Sequence, residues 1–453
     1  MERNMEKKML PRRQLSQTQF IAYGFLVMIL IGTLLLMLPA ASRSGESQGF
    51  LDCLFTATSA SCVTGLVVAD TWSNWTVFGQ LVILTMIQIG GLGFITIGVF
   101  ISIILRRKIG LKERGLMQES VNTLQLSGVV KLARKIIIGT ALIEGTGAVL
   151  LSIRFVPRFG LVKGIYYGIF HSISAFCNAG FDLLGCDTPY MSLTGYSADW
   201  LVNLVIMSLI VIGGLGFIVW DDVSRKGLHF KSYMLHTKIV LLTTLALIFG
   251  GALLIGISER DNLMADMGWG ERILTSLFAS VTARTAGFNT IDIASMRPAS
   301  KLLTIFLMYI GGSPGSTAGG VKTTTLVVLL LYLGSTIKRT HGVNIFGRRL
   351  EEDSIMRASC ICTINLCLAL TVATIILMMQ NLDAMDVLLE TFSAIGTVGM
   401  SSGITRELNA FSRIMVILLM YCGRIGSLSF ALTFTQNMKL AKVRLPEEKI
   451  TIG

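Results

Sequence analysis

The chain has 453 residues, of which 52% are hydrophobic and only 15% are charged. Soluble proteins carry roughly 25% charged residues, so this balance excludes an ordinary soluble domain and indicates an integral membrane protein. A net charge of +12 would suggest a nucleic-acid partner in a soluble chain, but here the basic residues follow a membrane topology and no nucleic-acid partner is expected.

Eight apolar segments are long enough to cross the hydrocarbon core as helices, which takes about 20 residues each. The first segment lacks a small-residue cleavage site after it, so we interpret it as a membrane helix and not as a signal peptide. The segments cover about 18–41, 76–104, 136–155, 200–220, 239–257, 300–333 with an interruption, 359–379 and 411–434.

Most of the 39 Lys and Arg residues fall in segments that even-numbered crossings place on one side of the membrane. By the positive-inside rule that side is the cytoplasm, so both termini are predicted to be cytoplasmic in a multi-pass protein of the cell membrane. The predicted cytoplasmic segments are a basic arm (1–16), three linkers (109–130, 225–237 and 338–356) and a tail (437–453).

Between these segments the chain divides into four repeats. Each predicts a spanning helix, a short half-helix, a glycine turn and a second spanning helix. Half-helices too short to span must re-enter, and the backbone after them must be buried in protein or face a watery cavity. The predicted fold is an all-α integral membrane protein of four tandem helix–pore half-helix–helix repeats, with eight transmembrane helices, around one central pore. The repeats are 17–108, 131–224, 238–337 and 357–436, and their half-helices cover about 51–61, 164–176, 270–282 and 384–394.

A seven-residue pattern closes each half-helix. It reads SASCVTG at 59–65, SAFCNAG at 174–180, VTARTAG at 281–287 and SAIGTVG at 393–399. Glycine accepts the unusual dihedrals that would turn carbonyls toward a shared axis, and a ring of carbonyls can replace the water shell of a cation. The partly negative C-terminal ends of the half-helices would favour a cation at the same place.

The residues that this pattern assigns to a selectivity filter are Cys62, Val63, Thr64, Gly65, Cys177, Asn178, Ala179, Gly180, Arg284, Thr285, Ala286, Gly287, Gly396, Thr397, Val398 and Gly399. A single copy would indicate only a glycine that ends a helix, whereas four copies at equivalent places favour a filter. The third copy lacks Ser-Ala and carries Arg284, so a strict fourfold filter is not implied.

The second helix of each repeat also carries glycines, at Ile89–Phe94, Ile212–Phe217, Ile310–Gly312 and Cys422–Gly426. Small residues let helices approach closely in lipid. We expect these glycines to pack helices together and also to keep an inner vestibule wide.

The third of these helices contains a stretch that cannot continue as a helix, because it holds five glycines and a proline. Broken helices at midmembrane border binding sites or gates, and a passive kink is the alternative. The predicted gate consists of Gly311, Gly312, Ser313, Pro314, Gly315, Ser316, Thr317, Ala318, Gly319 and Gly320, with Arg424 as a partner for the hydroxyls of Ser313, Ser316 and Thr317.

Few charges lie within the predicted spans, and each should face a pore or have a partner. Arg424 follows Gly399 and is predicted to lie below the filter, and Lys322 follows the broken stretch. Glu144 could serve in a structural pair or in transport. His171, on a half-helix, is read as a packed histidine in preference to a proton relay.

Together, the four repeats, the Gly-Phe pairs at 180–181 and 287–288, the IGGLGF pattern and the stretch GGSPGSTAGGVK resemble the Trk/Ktr/HKT superfamily of potassium transporters over residues 17–436. The absence of extra helices before the first repeat makes the chain more similar to the Ktr-type membrane subunits than to the bacterial Trk type. The resemblance implies potassium uptake through a selective pore that is gated at 311–320, with Arg424 facing the pore. It places K+ at the backbone carbonyls of Val63, Thr64, Asn178, Ala179, Thr285, Ala286, Thr397 and Val398.

The same resemblance implies a homodimer in the lipid bilayer, seated on a cytoplasmic ring of nucleotide-binding regulatory subunits of the KtrA type. It also implies sodium as an activator of uptake, and no nucleotide bound by this chain itself. The sequence leaves open a tightly coupled symporter with alternating access. A membrane-embedded enzyme is disfavoured, because the chain has no HExxH, no Gly-x-Ser-x-Gly and no cysteine–histidine cluster at zinc spacing.

Overall fold

The computed structural model describes residues 16–427, apart from 106–109, 111–114, 117, 119–127, 187, 228, 340 and 341, together with residue 448. Residues 1–15 of the predicted basic arm, most of the linker 109–130 and nearly all of the tail 437–453 lie outside the described residues. The same holds for the last part of the span predicted at 411–434.

Each repeat begins with a long helix, which we call the outer helix. The outer helices are Gln17–Leu36, Val129–Phe159, Leu235–Glu259 and Glu352–Met379. In the described residues these four are long and apolar enough to cross a membrane, and a fifth span is found if the bent pair Trp200–Leu215 and Phe217–Lys226 counts as one. Large apolar side chains such as Leu34 and Leu142 are about two-thirds exposed on them, as expected for a surface that faces lipid.

The half-helices lie close to the predicted positions, at Phe50–Cys62, Leu161–Phe176, Trp269–Thr282 and Ala384–Gly396. Their C-terminal halves are buried, with Ala60, Ala175 and Ala394 fully enclosed. The half-helices therefore form the centre of the fold, and the outer helices surround them.

The last helix of each repeat, which we call the inner helix, is interrupted in the first three repeats, and in the fourth the structure describes its first segment. The segments are Val77–Leu92 and Phe94–Ile104, Trp200–Leu215 and Phe217–Lys226, Pro298–Tyr309 and Thr323–Ile337, and Ala410–Ile425. The sequence predicted a break only in the third, so the spans predicted without interruption at 76–104 and 200–220 are wrong in this respect. The first two breaks fall at Gly93 and Gly216, and the described helix of the fourth repeat ends before Gly426. The φ values of these glycines, 81°, 93° and 94°, lie outside the right-handed helix.

Three of the inner helices start from the same kind of N-cap. The side chains of Thr76, Asp199 and Asn409 each accept a hydrogen bond from the backbone N–H three residues later, which satisfies a donor that the helix leaves free. The third inner helix starts instead with Pro298 at its first position, where the missing N–H costs nothing.

The remaining elements are short and connect the repeats. They are the helix Thr71–Asn74, the 3₁₀ turns Pro39–Ala41, Thr194–Tyr196, Phe230–Ser232 and Ile404–Arg406, and an antiparallel pair of two-residue strands, Asn344–Ile345 and Arg348–Arg349. The strand pair lies within the linker predicted at 338–356.

Candidate ion pathway

The four glycine turns meet one another in a closed ring. A Cβ atom built on each turn's glycine would collide with the carbonyl oxygen before the glycine of the next repeat, so each glycine is needed for this approach. The distances from such a Cβ to the carbonyl oxygen are 2.5 Å for Gly65 and Ala179, 2.6 Å for Gly180 and Ala286, and 2.6 Å for Gly287 and Val398. The overlap is closer for Gly399 and Thr64. Because the fourth repeat contacts the first, the ring has no open side.

The backbone of all four turns follows one conformational pattern. The residue two places before each glycine has positive φ, and so does the glycine itself, while the residue between them does not. This is the unusual backbone that was expected of turns whose carbonyls face a shared axis. The φ values are 57° at Val63, 60° at Asn178, 74° at Thr285 and 50° at Thr397, followed by 94°, 68°, 82° and 89° at the glycines.

Left-handed backbone is unfavourable for β-branched residues, and three of these four residues are Val or Thr. A cost of about 1–3 kcal/mol each persists only where the surroundings determine the conformation. The ends of the half-helices supply this constraint: the N–H groups of Thr64, Ala179 and Val398 each donate to the serine carbonyl five residues earlier, at 2.8 Å, which is the long bond of a Schellman motif.

The serine of the repeated Ser-Ala pair ties the half-helix to its turn. In the first and fourth repeats, Ser59 and Ser393 accept a hydrogen bond from the N–H of the glycine, at 3.1 and 3.0 Å. In the second repeat the hydroxyl of Ser174 donates to the carbonyl of Phe181 at 2.7 Å. The sequence shows the serine, but its two different bonds became clear only from the structure.

The third copy is one residue shorter between helix and turn. Its Thr282 hydroxyl donates to the carbonyl of Phe288 at 2.6 Å, as Ser174 does to Phe181, and the N–H of Ala286 bonds four residues back instead of five. Thr282 is therefore the structural counterpart of the serines. An alignment without a gap places Val281 there and is off by one residue. Arg284 is 8% exposed and lines a small cavity with Gly214 and Gly312.

Glycines of the inner helices pack directly on the ends of the half-helices. A Cβ on Gly90, Gly213 or Gly423 would fall on the carbonyl oxygen of Ser61, Phe176 or Ile395, respectively. Gly91, Gly93, Gly423 and Gly426 also line a cavity of about 350 Å³ on the inner side, together with Gly315 and Arg424. The expected close packing of these glycines is found, and the vestibule stays a prediction with which this cavity agrees.

Arg424 closes the end of the first inner helix. That helix stops at Leu92, so its last carbonyls have no partner of their own. The guanidinium of Arg424 donates to the carbonyls of Gly90 and Gly91 and, through its other nitrogen, to the carbonyl of Thr317. Arg424 thus joins the fourth repeat, the first repeat and the loop of the third.

The stretch 311–320 supplies hydrogen-bond donors to the last carbonyls of the first segment of the second inner helix, which breaks at Gly216. The N–H groups of Ser313 and Thr317 donate to the carbonyls of Gly214 (3.0 Å) and Gly213 (3.3 Å), and the N–H of Phe217 donates back to Gly315 (2.8 Å). Backbone at this depth needs such partners because lipid offers none. The breaks in the inner helices and the loop are therefore parts of one hydrogen-bonded layer.

The predicted hydroxyl contacts of this loop are only partly found. Thr317 donates to the carbonyl of Phe176 at 3.1 Å and so reaches another repeat. The hydroxyl of Ser313 contacts the hydroxyl of Thr323, and the hydroxyl of Ser316 donates to the carbonyl of Ser313, so both stay within the third repeat. Arg424 donates to the carbonyl of Thr317 and not to a hydroxyl. Backbone groups hold the loop, which residue types alone do not reveal.

Comparison with known proteins agrees with this arrangement. The TrkH family, described as cation transport proteins, matches residues 3–443. The chain belongs to the TrkH family. It is 42% identical to the potassium/sodium uptake protein NtpJ of Enterococcus hirae, over 98% of both chains. It is 40% identical to the Ktr system potassium uptake protein B of Bacillus subtilis, over 96% of both.

The crystal structure of the potassium transporter TrkH from Vibrio parahaemolyticus superposes with a TM-score of 0.73 at 18% identity, covering 93% of this chain and 86% of that one. As a TrkH-family chain it is an ion transporter and not an enzyme.

Two buried titratable residues of this TrkH-family chain have partners that favour structural roles. His171 contacts the carbonyl of Tyr167 through Nδ1 (2.7 Å) and accepts from the N–H of Leu183 through Nε2 (3.4 Å). Glu144 accepts from Gln88 Nε2 at 3.0 Å, next to Cys177.

The ammonium group of Lys322 binds carbonyls of the loop that precedes it. Its ammonium donates to the carbonyls of Ala318 (2.7 Å) and Gly319 (3.2 Å), which lie at the end of the broken stretch. Lys322 therefore helps to fix the shape of 311–320 from inside, while Arg424 fixes it to other repeats.

Sequence reasoning missed a belt of polar contacts around the half-helices. Ten residues before the inner-helix glycines 90, 213, 311 and 423 stand Gln80, Asn203, Lys301 and Arg413. Three of these bond a residue near the start of the next half-helix around the ring: Lys301 pairs with Asp386 at 2.8 Å, Arg413 with Asp52 at 2.6 Å, and Gln80 accepts from Tyr166 at 3.0 Å. The sequence does show that a polar residue stands ten positions before a glycine in all four inner helices, and this regular spacing could have predicted the belt.

The role of Arg424 can be tested by comparing two replacements. In Arg424→Ala the loop loses a charged donor, so we expect basal potassium flux to rise about fivefold, the equivalent of roughly 1 kcal/mol. Arg424→Lys keeps the charge but cannot bridge two carbonyl groups with a fork, so its flux should rise as well. The deciding measurement is the K+ flux into proteoliposomes per amount of folded protein. A lysine variant that behaves like the parent would show that only the charge matters.

Proposed function

We propose that this chain takes up potassium across the cell membrane through a selective, gated pore. The observation that carries the proposal is the closed ring of glycine turns, in which each glycine of one repeat allows contact with the carbonyl of the next. A ring of backbone carbonyls suits a dehydrated monovalent cation. Relatives named for potassium or potassium/sodium uptake support potassium as the ion.

In this proposal the filter is formed by the residues predicted from the sequence, with K+ held by the eight carbonyls at Val63, Thr64 and their equivalents. A cavity of about 460 Å³ on the outer side is lined by all four filter glycines and by Asp70, Asp182 and Asp292. Negative charge at this mouth would raise the local cation concentration. The inner cavity with Arg424 and the loop would lie at the other end of the same path.

The gate is the stretch 311–320. It borders the inner cavity, and a Cβ on Gly319 would fall on the Thr397 hydroxyl in the fourth turn, so the loop lies directly against the proposed filter. Its bonds to the second repeat and to Arg424 would hold it closed. The broken inner helices would each complete a membrane crossing, which gives eight crossings with both termini in the cytoplasm.

The assembly is proposed to be a homodimer on a ring of KtrA-type nucleotide-binding subunits, with sodium as an activator. Its support is the naming of the Bacillus subtilis relative as one component of a Ktr system, and of the Enterococcus hirae relative as a potassium/sodium protein. The basic cytoplasmic segments would provide the docking face for such a ring.

Flux of K+ into proteoliposomes at a fixed voltage tests the function. The purified chain should carry K+ in preference to Na+ and should gain nucleotide dependence only when the regulatory subunit is added. Current with K+ as the sole permeant cation indicates a conduit, whereas an absolute requirement for Na+ or H+ at fixed stoichiometry would indicate the coupled symporter. A chain that transports neither K+ nor Na+ contradicts the proposal.

A further inference from the structure

Two half-helices carry a buried titratable side chain at the same place, nine residues before the glycine of the turn. In the second repeat this is His171 and in the fourth it is Glu390, and both are 0% exposed. The first repeat has Thr56 at this position, and the third repeat, which is one residue shorter before its turn, has Ala279. Both His171 and Glu390 reach past the turn to the chain segment that follows the glycine.

The carboxyl group of Glu390 and the hydroxyl groups of Ser401 and Thr405 form a triangle of polar contacts. Its Oε2 lies 2.7 Å from the hydroxyl of Ser401, its Oε1 lies 2.5 Å from the hydroxyl of Thr405, and the two hydroxyls lie 2.9 Å apart. Ser401 also accepts from the N–H of Gly403 at 3.0 Å. Ser401 and Thr405 line the outer cavity together with Gly399.

The number of protons shows the charge state that fits this triangle. Three contacts between oxygens need three protons, while the two hydroxyls supply only one each. A proton on Glu390, as the neutral acid, lets all three contacts be hydrogen bonds, whereas an ionised Glu390 would accept from both hydroxyls and leave the contact between them without a proton. In the described residues no basic group forms an ion pair with it: Lys301 pairs with Asp386, and Arg406 stacks on Tyr190 and bonds Gly403.

His171 makes the matching connection in the second repeat. With its proton on Nδ1, the neutral ring donates to Tyr167 within the half-helix and accepts from the N–H of Leu183 beyond the turn. Two repeats that are not neighbours in the ring therefore use the same position to fasten the outer segment of the turn to the half-helix.

We propose that Glu390, as the neutral acid, is a positioning residue that holds the segment after Gly399 in place and thereby sets the K+ over Na+ selectivity of the pore. This rests on the proposed function. Without the triangle, the segment from Ser401 to Thr405 would keep no hydrogen bond to the half-helix through these side chains, and the carbonyl ring would lose this constraint in the fourth repeat.

The test compares Glu390→Gln with Glu390→Leu. A glutamine can accept from one hydroxyl and donate to the other, so it replaces the neutral acid, whereas leucine removes all contacts. We expect E390L to lower the K+/Na+ flux ratio about fivefold, which corresponds to the loss of roughly one net hydrogen bond. E390Q keeps these bonds, so it should change the ratio by less than about twofold. Thr56→Val is the matched control, because the Thr56 hydroxyl has no hydrogen-bond partner in the described residues, and its ratio should stay unchanged.

Each outcome has one reading. If E390Q loses as much selectivity as E390L, the charge of Glu390 acts and the proposal is wrong, as it is if E390L keeps the parent ratio. Should E390L fail to reach the membrane, the double variant Ser401→Ala/Thr405→Val removes the same bonds from the other side and must lower the ratio. A parent protein without K+ preference would instead refute the proposed function and not this inference.

Discussion

Replacing Gly399 with serine should remove most of the preference for K+ over Na+. The backbone at Gly399 has φ of 89°, which costs a residue with a Cβ roughly 1–2 kcal/mol. The new Cβ would also overlap the carbonyl oxygen of Thr64, so that oxygen must move. We expect the K+/Na+ flux ratio to fall at least about tenfold, which corresponds to roughly 1.4 kcal/mol.

The matched control is Gly250→Ser, because Gly250 lies within the third outer helix and a Cβ there meets nothing within 4 Å. Its flux ratio should equal that of the parent. Gly180→Ser provides a second test in the ring, where φ is 68° and the contact is with the carbonyl of Ala286 at 2.6 Å. A normal ratio in both ring variants would show that the turns do not select the ion.

Deleting residues 313–317 should raise basal potassium flux and weaken the dependence on a regulatory subunit. A Cβ on Gly312 would fall on that of Ala318, so the ends of the deleted segment already lie together and the chain can close across them. The deletion removes the acceptor carbonyl of Thr317 for Arg424 and both N–H groups that bond the second inner helix. An open inner cavity should raise flux about tenfold or more, if the loop contributes only about 1.4 kcal/mol to the barrier.

Selectivity should remain in this deletion, because the four turns keep their bonds to the half-helices. For basal flux measured without the regulatory subunit, a variant that shortens the exposed strand connection, by deletion of Phe346 and Gly347 between the two-residue strands, serves as a control for the loss of residues as such. If the 313–317 deletion reaches the membrane and conducts no faster than the parent, the break in the third inner helix is a passive kink.

Much of the architecture could be predicted because it repeats. The half-helices and their glycines were located from the pattern around Gly65 and its three equivalents, and the break at 311–320 from its composition. The breaks at Gly93 and Gly216 were missed, because glycines inside an apolar run, as in the IGGLGF pattern, are also typical of membrane helices that pack closely. Only the orphaned carbonyls of Gly90 and Gly213, and their donors in other repeats, show why the helix ends there.

The third turn shows a second limit. Gap-free comparison assigned Val281 to the place of the serines, because the shortening by one residue leaves no trace in hydrophobicity. The bond from Thr282 to Phe288 reveals the shift. Arg424 was expected to act through hydroxyl groups because side chains are what a sequence displays, whereas its partners are carbonyls of Gly90, Gly91 and Thr317.

The closed ring of turns has a consequence for biosynthesis. The contact between Gly399 and Thr64, the ion pair of Arg413 with Asp52 and the bonds of Arg424 to Gly90 and Gly91 all join the last quarter of the chain to the first. A ribosome that makes the chain from the N-terminus will have inserted three repeats before these partners exist. Until then, the carbonyls of the first repeat need water, lipid headgroups or a membrane chaperone, so a chain arrested before the fourth repeat should be a substrate for membrane proteases.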